Sequence, residues 1–196
     1  MQSHFDFDTD KLAGYLENNV AGFKGPLKAE KFAGGQSNPT FKIIAASGDY
    51  VLRRKPPGEL LKSAHAVDRE FRVLSALANT EVPVVEVYHL CEDDSVIGSM
   101  FYLMEFKQGR VFWNPALPEA TNAERTEVFD QMNQVMVALH RVDVDAVGLS
   151  DYGRPSNYFV RQADRWSKQY RASETETITE MDALIDWLPK NMPEDD

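Results

Sequence analysis

The chain has 196 residues, enough for one ordinary domain or for two small lobes with a sizeable core. Its formal net charge of −10 argues against nucleic acid or an anionic membrane as the main partner, and its single cysteine excludes a disulfide framework and a cysteine-based zinc site. No apolar run approaches the ~18 residues of a membrane span, and the acidic start is unlike a targeting peptide, so we expect a cytoplasmic protein.

The first part of the chain is predicted to contain two helices and a set of short strands. Apolar residues at helical spacing indicate helices over about 8–19 and 64–78. The turn Ser47-Gly48-Asp49 is typical of a hairpin. Five strands are predicted by their apolar patterns, and these are residues 28–32, 41–45, 50–54, 84–91 and 100–106.

The second part of the chain is predicted to be helical. Thr121 and Glu124 have the spacing of a capping box at the start of a helix. Three apolar stripes follow at helical spacing, namely Val128, Met132, Val135 and Leu139; Phe159, Ala163, Trp166 and Tyr170; and Met181, Leu184, Ile185 and Leu188. We therefore expect an α+β fold, with a mostly antiparallel sheet in residues 1–106 and helices in residues 107–196.

A glycine-rich turn lies between the first two predicted strands. It consists of Gly34, Gly35, Gln36, Ser37 and Asn38. Adjacent glycines permit positive φ angles and let backbone N–H groups approach an anion without a Cβ in the way. The same residues also suit a plain hairpin turn, so a phosphate-binding loop and a simple turn are both open on these residues alone.

The third predicted strand ends in positive charge. Val51 and Arg53 share one face of this strand. On that face the apolar side chain can cover the flat ring of a nucleotide while the cation reaches the phosphates of the same nucleotide. Glu70 falls inside the apolar arc of the second helix and needs a partner there. A bidentate ion pair with Arg53 would hold the guanidinium toward phosphate. The alternatives are a solvated charge run over residues 53–55 and an ion pair without a ligand.

The pattern changes from strands to helices at Lys107-Gln108-Gly109. A crevice between two lobes forms at such a crossing, and ligand pockets favour such places. The backbone of Glu105 and Lys107 is then available to hydrogen-bond the edge of a purine. Any linker would have similar residues, so this interpretation depends on the others.

These features together resemble the kinase-like fold of the aminoglycoside phosphotransferase and choline kinase superfamily. Within it, the chain is similar to the phosphotransferase domain of acyl-CoA dehydrogenase family members 10 and 11 and to free-standing bacterial relatives. The stretches that carry the resemblance are residues 32–39, 50–58, 63–71, 95–98, 101–106, 109–110 and 166–170.

The resemblance implies a role for each candidate residue. Residues 34–38 would cover the phosphates of ATP, and Arg53 and Glu70 would take the places of the strand-three lysine and its helix partner. Glu105 and Lys107 would form the hinge that binds adenine through backbone atoms. It also implies Mg²⁺ as a cofactor and a small-molecule hydroxyl as acceptor, in a hydroxyacyl-CoA or a hydroxy acid. Arginine in place of lysine leaves the geometry of the phosphate contact open.

The family's catalytic loop, His-Gly-Asp-x-x-x-x-Asn followed by a metal-binding Asp, is missing from this sequence. We therefore expect no catalytic residue and no metal ligand in this chain, an incomplete helical lobe, and little or no phosphotransfer by the chain alone. Apolar helix faces left exposed would favour a homo-oligomer or a C-terminal segment as partner. The alternative is a non-catalytic nucleotide-binding or regulatory module of the same fold, and a third possibility is a domain that binds no nucleotide.

Overall fold

The computed structural model describes residues 7–33, 38–56, 58, 65–153 and 156–193. The chain divides into two compact units, residues 1–147 and 148–196. The larger unit contains helices α1 (Thr9–Asn19), α2 (Val67–Leu77) and α3 (Asn122–His140) and strands β1 (Leu27–Lys31), β2 (Thr40–Ala45), β3 (Gly48–Arg54), β4 (Val87–Cys91) and β5 (Phe101–Glu105). The smaller unit contains α4 (Tyr158–Ser173), α5 (Thr179–Trp187) and a 3₁₀ turn, Leu188–Lys190. The lobe boundary near residue 106 stays a prediction.

The five strands form one sheet in the order β1-β2-β3-β5-β4, and every neighbouring pair is antiparallel. This confirms the predicted α+β class with an antiparallel sheet. Strand β3 lies in the centre, so the residues at its end are held by partners on both sides. Thr40 and Tyr102 are the cross-strand partners of Arg53.

Helix α1 covers one face of the sheet. Asp8 caps its first turn, because the side chain accepts hydrogen bonds from the N–H groups of Asp10 and Lys11. The apolar stripe of α1 packs on Leu52 of β3 and its neighbours in one core. That core consists of Leu12, Leu16, Val20, Phe23, Phe41, Ile43, Leu52, Cys91, Val96, Ile97, Phe101 and Leu103.

Arg54 lies on the same side of β3 as Leu52 and is only 2% exposed. The interpretation of residues 53–55 as a solvated charge run is therefore wrong at this position. Its Nε donates to Ser99 Oγ at 2.8 Å, and its guanidinium lies 5.6 Å from the centre of the Phe7 ring. Burial lowers the pKa of Arg54, and its Nη1 makes no hydrogen bond within the described part of the chain.

The helices after residue 107 form where the sequence predicts them. The capping box of α3 is present, with Thr121 Oγ1 accepting from the Glu124 N–H and Glu124 accepting from the Thr121 N–H. The apolar stripe of α3 is exposed at Met132, Val135 and Leu139. None of the helices that the structure describes is long and apolar enough to cross a membrane.

The α1–β4 contact contains a titratable pair. The Tyr15 hydroxyl and His89 Nε2 are 2.9 Å apart. Burial, with a smaller contribution from the hydrogen bond to Cys91, raises the pKa of Tyr15 to about 12. Burial lowers the pKa of His89. In the folded protein Tyr15 is therefore held protonated and His89 is held neutral.

The free energy of unfolding should fall on both sides of neutral pH. Below the ordinary histidine pKa of 6.5, the unfolded chain takes up a proton that folded His89 resists. Above pH 10 the unfolded chain loses the Tyr15 proton that the folded protein retains. Urea midpoints can be measured from about pH 5 to 8, a range that spans the ordinary histidine pKa of about 6.5. As the pH falls, the midpoint should decline less steeply in His89→Gln than in the parent. Equal slopes would show that His89 makes no such contribution.

Candidate functional site

Arg53 and Glu70 form a bidentate ion pair between β3 and α2. Arg53 Nε lies 2.6 Å from Glu70 Oε2, and Nη2 lies 3.3 Å from Oε1. The side chains are 30% and 35% exposed, so the pair is partly accessible to solvent. The structure thus confirms the predicted contact. The fork geometry fixes the plane and the direction of the guanidinium, which a single hydrogen bond would not do.

Two further side chains hold the Glu70 carboxylate. Tyr102 on β5 donates its hydroxyl to Oε2 at 3.1 Å, and Asn38 donates its Nδ2 to Oε1 at 3.0 Å. Burial, together with the negative charge of Glu70, raises the pKa of Tyr102, so its hydroxyl stays a donor. Glu70 therefore accepts four hydrogen bonds, two of them from Arg53 and one each from Tyr102 and Asn38.

The Arg53 guanidinium retains donors for a ligand. Its Nη1 donates to Thr40 Oγ1 at 3.1 Å, in addition to the two bonds to Glu70. A guanidinium has five N–H donors, so two have no hydrogen-bond partner among the residues that the structure describes. A positioned guanidinium with two unused donors on a partly exposed side chain is suited to bind an anion such as phosphate.

The predicted phosphate loop is described only at its last residue. Gly34, Gly35, Gln36 and Ser37 lie outside the described residues, and their role stays a prediction. Asn38 is 5% exposed, and its side chain faces Glu70. Its amide is therefore bound within the protein, and its carbonyl accepts from Thr40 Oγ1 at 3.1 Å, so the backbone N–H is the group of Asn38 to consider for a phosphate contact.

Val51 and Glu105 lie on the central strands β3 and β5, and Lys107 follows β5. Val51 is buried and is paired with Met104 across β3 and β5. The Glu105 N–H donates to the Glu86 carbonyl at 2.8 Å, so that N–H is already used. Lys107 Nζ lies 2.5 Å from Glu105 Oε1, and this contact lowers the pKa of Glu105. The hinge groups to consider for adenine are thus the Glu105 carbonyl and the Lys107 N–H.

An aromatic pair lies near the hinge. The rings of Phe32 and Phe106 are nearly parallel, at 17°, with centroids 6.5 Å apart. Lys42 Nζ lies 4.4 Å above the Phe106 ring. Sequence reasoning missed this pair, and it also missed Thr40, His65 and Tyr102. The alternation of β5 was available as a signal for Tyr102, but its register against Arg53 was not.

Metal ligands do not cluster in this part of the protein. Among the described residues, no group of three or more His, Cys, Asp or Glu side chains is placed to hold a metal ion. The described part of the site is built on one arginine, which Glu70 and Thr40 hold in place. It contains a positioned charge and hydrogen-bond donors.

The sheet order, with the Arg53–Glu70 pair between the central strand and α2, defines a protein-kinase-like fold. The crystal structure of a "putative aminoglycoside phosphotransferase" from Ralstonia eutropha JMP134 matches with a TM-score of 0.78 and 53% sequence identity, over 96% of this chain and 54% of that chain. A model of the phosphotransferase enzyme family matches residues 28–196. The chain belongs to that phosphotransferase family.

Curated relatives have other names and are much longer. "Probable acyl-CoA dehydrogenase IBR3" of Arabidopsis thaliana is 49% identical over 208 residues, which cover 100% of this chain and 25% of that protein. Acyl-CoA dehydrogenase family member 10 of Mus musculus is 46% identical over 185 residues, 94% of this chain and 17% of that protein. The chain therefore spans a quarter or less of the length of these relatives.

Proposed function

We propose that this chain is the ATP-binding part of a small-molecule phosphotransferase, which moves the γ-phosphoryl group of ATP to a hydroxyl acceptor. Membership of the phosphotransferase family supports the reaction type. The observation that carries the nucleotide site is the Arg53 guanidinium, which Glu70 holds at the end of β3 with two donors unused by described residues.

Phosphoryl transfer leaves a protein little covalent chemistry to perform. Catalysis consists mostly of positioning the nucleotide and neutralising its charge. In the proposal, residues 34–38 and Arg53 bind the phosphates. Val51 covers one face of the adenine ring, while the Glu105 carbonyl and the Lys107 N–H bind its edge. Each of these groups holds ATP in place, and none takes the proton of an acceptor.

Mg²⁺ would accompany ATP and neutralise charge on its phosphates. The described residues offer no cluster of ligands for it. The proposal therefore assigns no metal ligand to this chain. It places the metal ligands and the catalytic base in the loop His-Gly-Asp-x-x-x-x-Asn, which this sequence does not contain.

The acceptor is proposed to be a hydroxyl of a hydroxyacyl-CoA or a hydroxy acid. The relatives of 46–49% identity are named as acyl-CoA dehydrogenases, which supports an acyl-type acceptor over an aminoglycoside. The Ralstonia eutropha structure carries the aminoglycoside name at 53% identity, so kanamycin is the comparison to include.

Calorimetric titration of the purified chain with ATP, ADP and adenosine tests the nucleotide site. We expect ATP and ADP to bind and adenosine to bind more weakly, because Arg53 and the loop contact phosphate. A millimolar dissociation constant corresponds to about −4 kcal/mol of binding free energy. If ATP at that concentration shows no binding to the chain, the proposal is contradicted. Phosphotransfer from ATP to a hydroxy acid or to kanamycin by the 196-residue chain alone would contradict the placement of catalysis outside it.

A non-catalytic nucleotide-binding module is the second candidate. It shares the proposed nucleotide site at Arg53 and differs only in performing no phosphoryl transfer. The DNA immediately downstream of the last codon separates the two candidates. A His-Gly-Asp-x-x-x-x-Asn stretch in the same reading frame, within a few dozen codons, indicates the enzyme. A stop codon with no such stretch before it indicates the module.

A further inference from the structure

A second hydrogen bond leads away from the Arg53–Glu70 pair to a histidine. His65 Nδ1 lies 2.9 Å from Asn38 Oδ1, and Asn38 Nδ2 donates to Glu70 Oε1 at 3.0 Å. The four side chains of His65, Asn38, Glu70 and Arg53 thus form one continuous chain of contacts. Sequence reasoning assigned His65 no function.

The direction of each hydrogen bond in this chain follows from the carboxylate. An ionised carboxylate only accepts, so the Nδ2 end of the Asn38 amide must face Glu70. Its oxygen then faces His65 and needs a donor, so the imidazole carries a proton on Nδ1. Glu70 therefore sets which end of the Asn38 amide carries the nitrogen, and His65 holds the oxygen end in place.

The backbone of His65 is held as well. Its φ angle is +59°, a left-handed conformation that asparagine and glycine adopt more readily than most residues. Its carbonyl accepts from the Val67 N–H at 2.9 Å, at the start of α2. Asn38, in contrast, directly precedes β2. The His65–Asn38 bond thus connects the entry to α2 with the residue that ends the predicted phosphate loop.

We propose that His65 is a positioning residue of the nucleotide site. By fixing the Asn38 amide, it keeps a donor on Glu70 and so holds the direction of the Arg53 guanidinium. Without His65 the oxygen of the buried Asn38 amide loses its donor, which favours rotation of the side chain away from the position in which Nδ2 reaches Glu70. The inference rests on the proposed function, because the effect is on a phosphate contact that Arg53 makes.

Two substitutions at His65 separate positioning from folding. Both asparagine and glycine suit the left-handed backbone, but only asparagine keeps a donor close to the place of Nδ1. We expect His65→Asn to bind ATP within about twofold of the parent and His65→Gly to bind about five- to tenfold more weakly. Loss of affinity by the same factor in both variants, or in neither, would overturn the inference.

A double-mutant cycle tests whether His65 acts through Asn38. If it does, His65→Gly adds no loss of ATP affinity once Asn38→Ala is present. Additive losses would mean that His65 acts by another route. A purely structural role would lower the unfolding temperature without nucleotide and leave the affinity of the folded protein unchanged.

The tautomer of His65 gives a readout that needs no nucleotide. Nitrogen NMR of the parent should show the proton on Nδ1, and Asn38→Ala should remove this preference. A proton on Nε2 in the parent would overturn the inference even where ATP binds. Failure of the parent to bind ATP would overturn the proposed function itself, whereas tight parent binding with unchanged His65→Gly affinity overturns only the inference.

Discussion

Replacing Arg53 by methionine is expected to weaken ATP binding by about 10- to 100-fold. A hydrogen bond to a charged group contributes about 1.5–3 kcal/mol, and each 1.4 kcal/mol is a factor of about ten in affinity. Methionine keeps much of the length and the apolar stem but removes the charge and all five donors. Arg53→Lys should be intermediate, because an ammonium keeps the charge without the fork that binds Glu70.

The fold should survive this substitution. Glu70 keeps the hydrogen bonds from Asn38 and Tyr102 after the guanidinium is removed. Lys28→Met is the matched control, since Lys28 belongs to an exposed pair with Glu30 and its side chain is 72% exposed. Calorimetric titration with ATP should show a loss for Arg53→Met and none for Lys28→Met. Equal affinities of parent and Arg53→Met would remove the observation on which the proposed function depends.

The Arg53–Glu70 pair was predictable because one of its members looked out of place. A carboxylate in the apolar arc of a helix needs a partner. Arg53 is a candidate because it lies on β3, the strand that precedes α2 in the chain. The supporting groups were not predictable in the same way. Tyr102 meets Glu70 through the register of β3 against β5, and His65 meets Asn38 across 27 positions of sequence. Periodicity along one element contains no information on either contact.

At Arg54 two signals in the sequence disagree. Alternation along β3 places it on the same side as Leu52, which indicates burial, whereas its charge indicates exposure. A solvated charge run over residues 53–55 was left open as an alternative, and no burial was predicted for Arg54. Burial prevails because Ser99 and Phe7, both distant in sequence, supply a hydrogen bond and an aromatic face.

Element boundaries were the weakest part of the prediction. The fourth strand was expected over 84–91 but begins at Val87. The preceding apolar residues favour a strand, but Pro83 lies in a tight turn in which the Val84 N–H donates to the Val82 carbonyl at 2.9 Å. A run of β-branched residues alone does not distinguish a strand from such a turn.

Truncation of Leu52 to alanine should cost about 2–5 kcal/mol in the free energy of unfolding. Leu52 is fully buried in the central strand. Its cross-strand partners are Phe41 on β2 and Leu103 on β5, and both are buried. Because the sheet fixes these neighbours on two sides and α1 covers them, the cavity has little room to collapse.

Urea unfolding of Leu52→Ala and Leu52→Met measures this cost. Methionine has nearly the same volume, so its loss should stay below about 1.5 kcal/mol. Below the unfolding transition, ATP affinity should equal that of the parent in both variants, because Leu52 and Arg53 face opposite sides of β3. A loss of stability below about 1 kcal/mol for alanine would show that the core around β3 relaxes. Reduced ATP affinity in folded Leu52→Ala would show instead that the nucleotide site depends on packing behind the strand as well as on the hydrogen bonds in front of it.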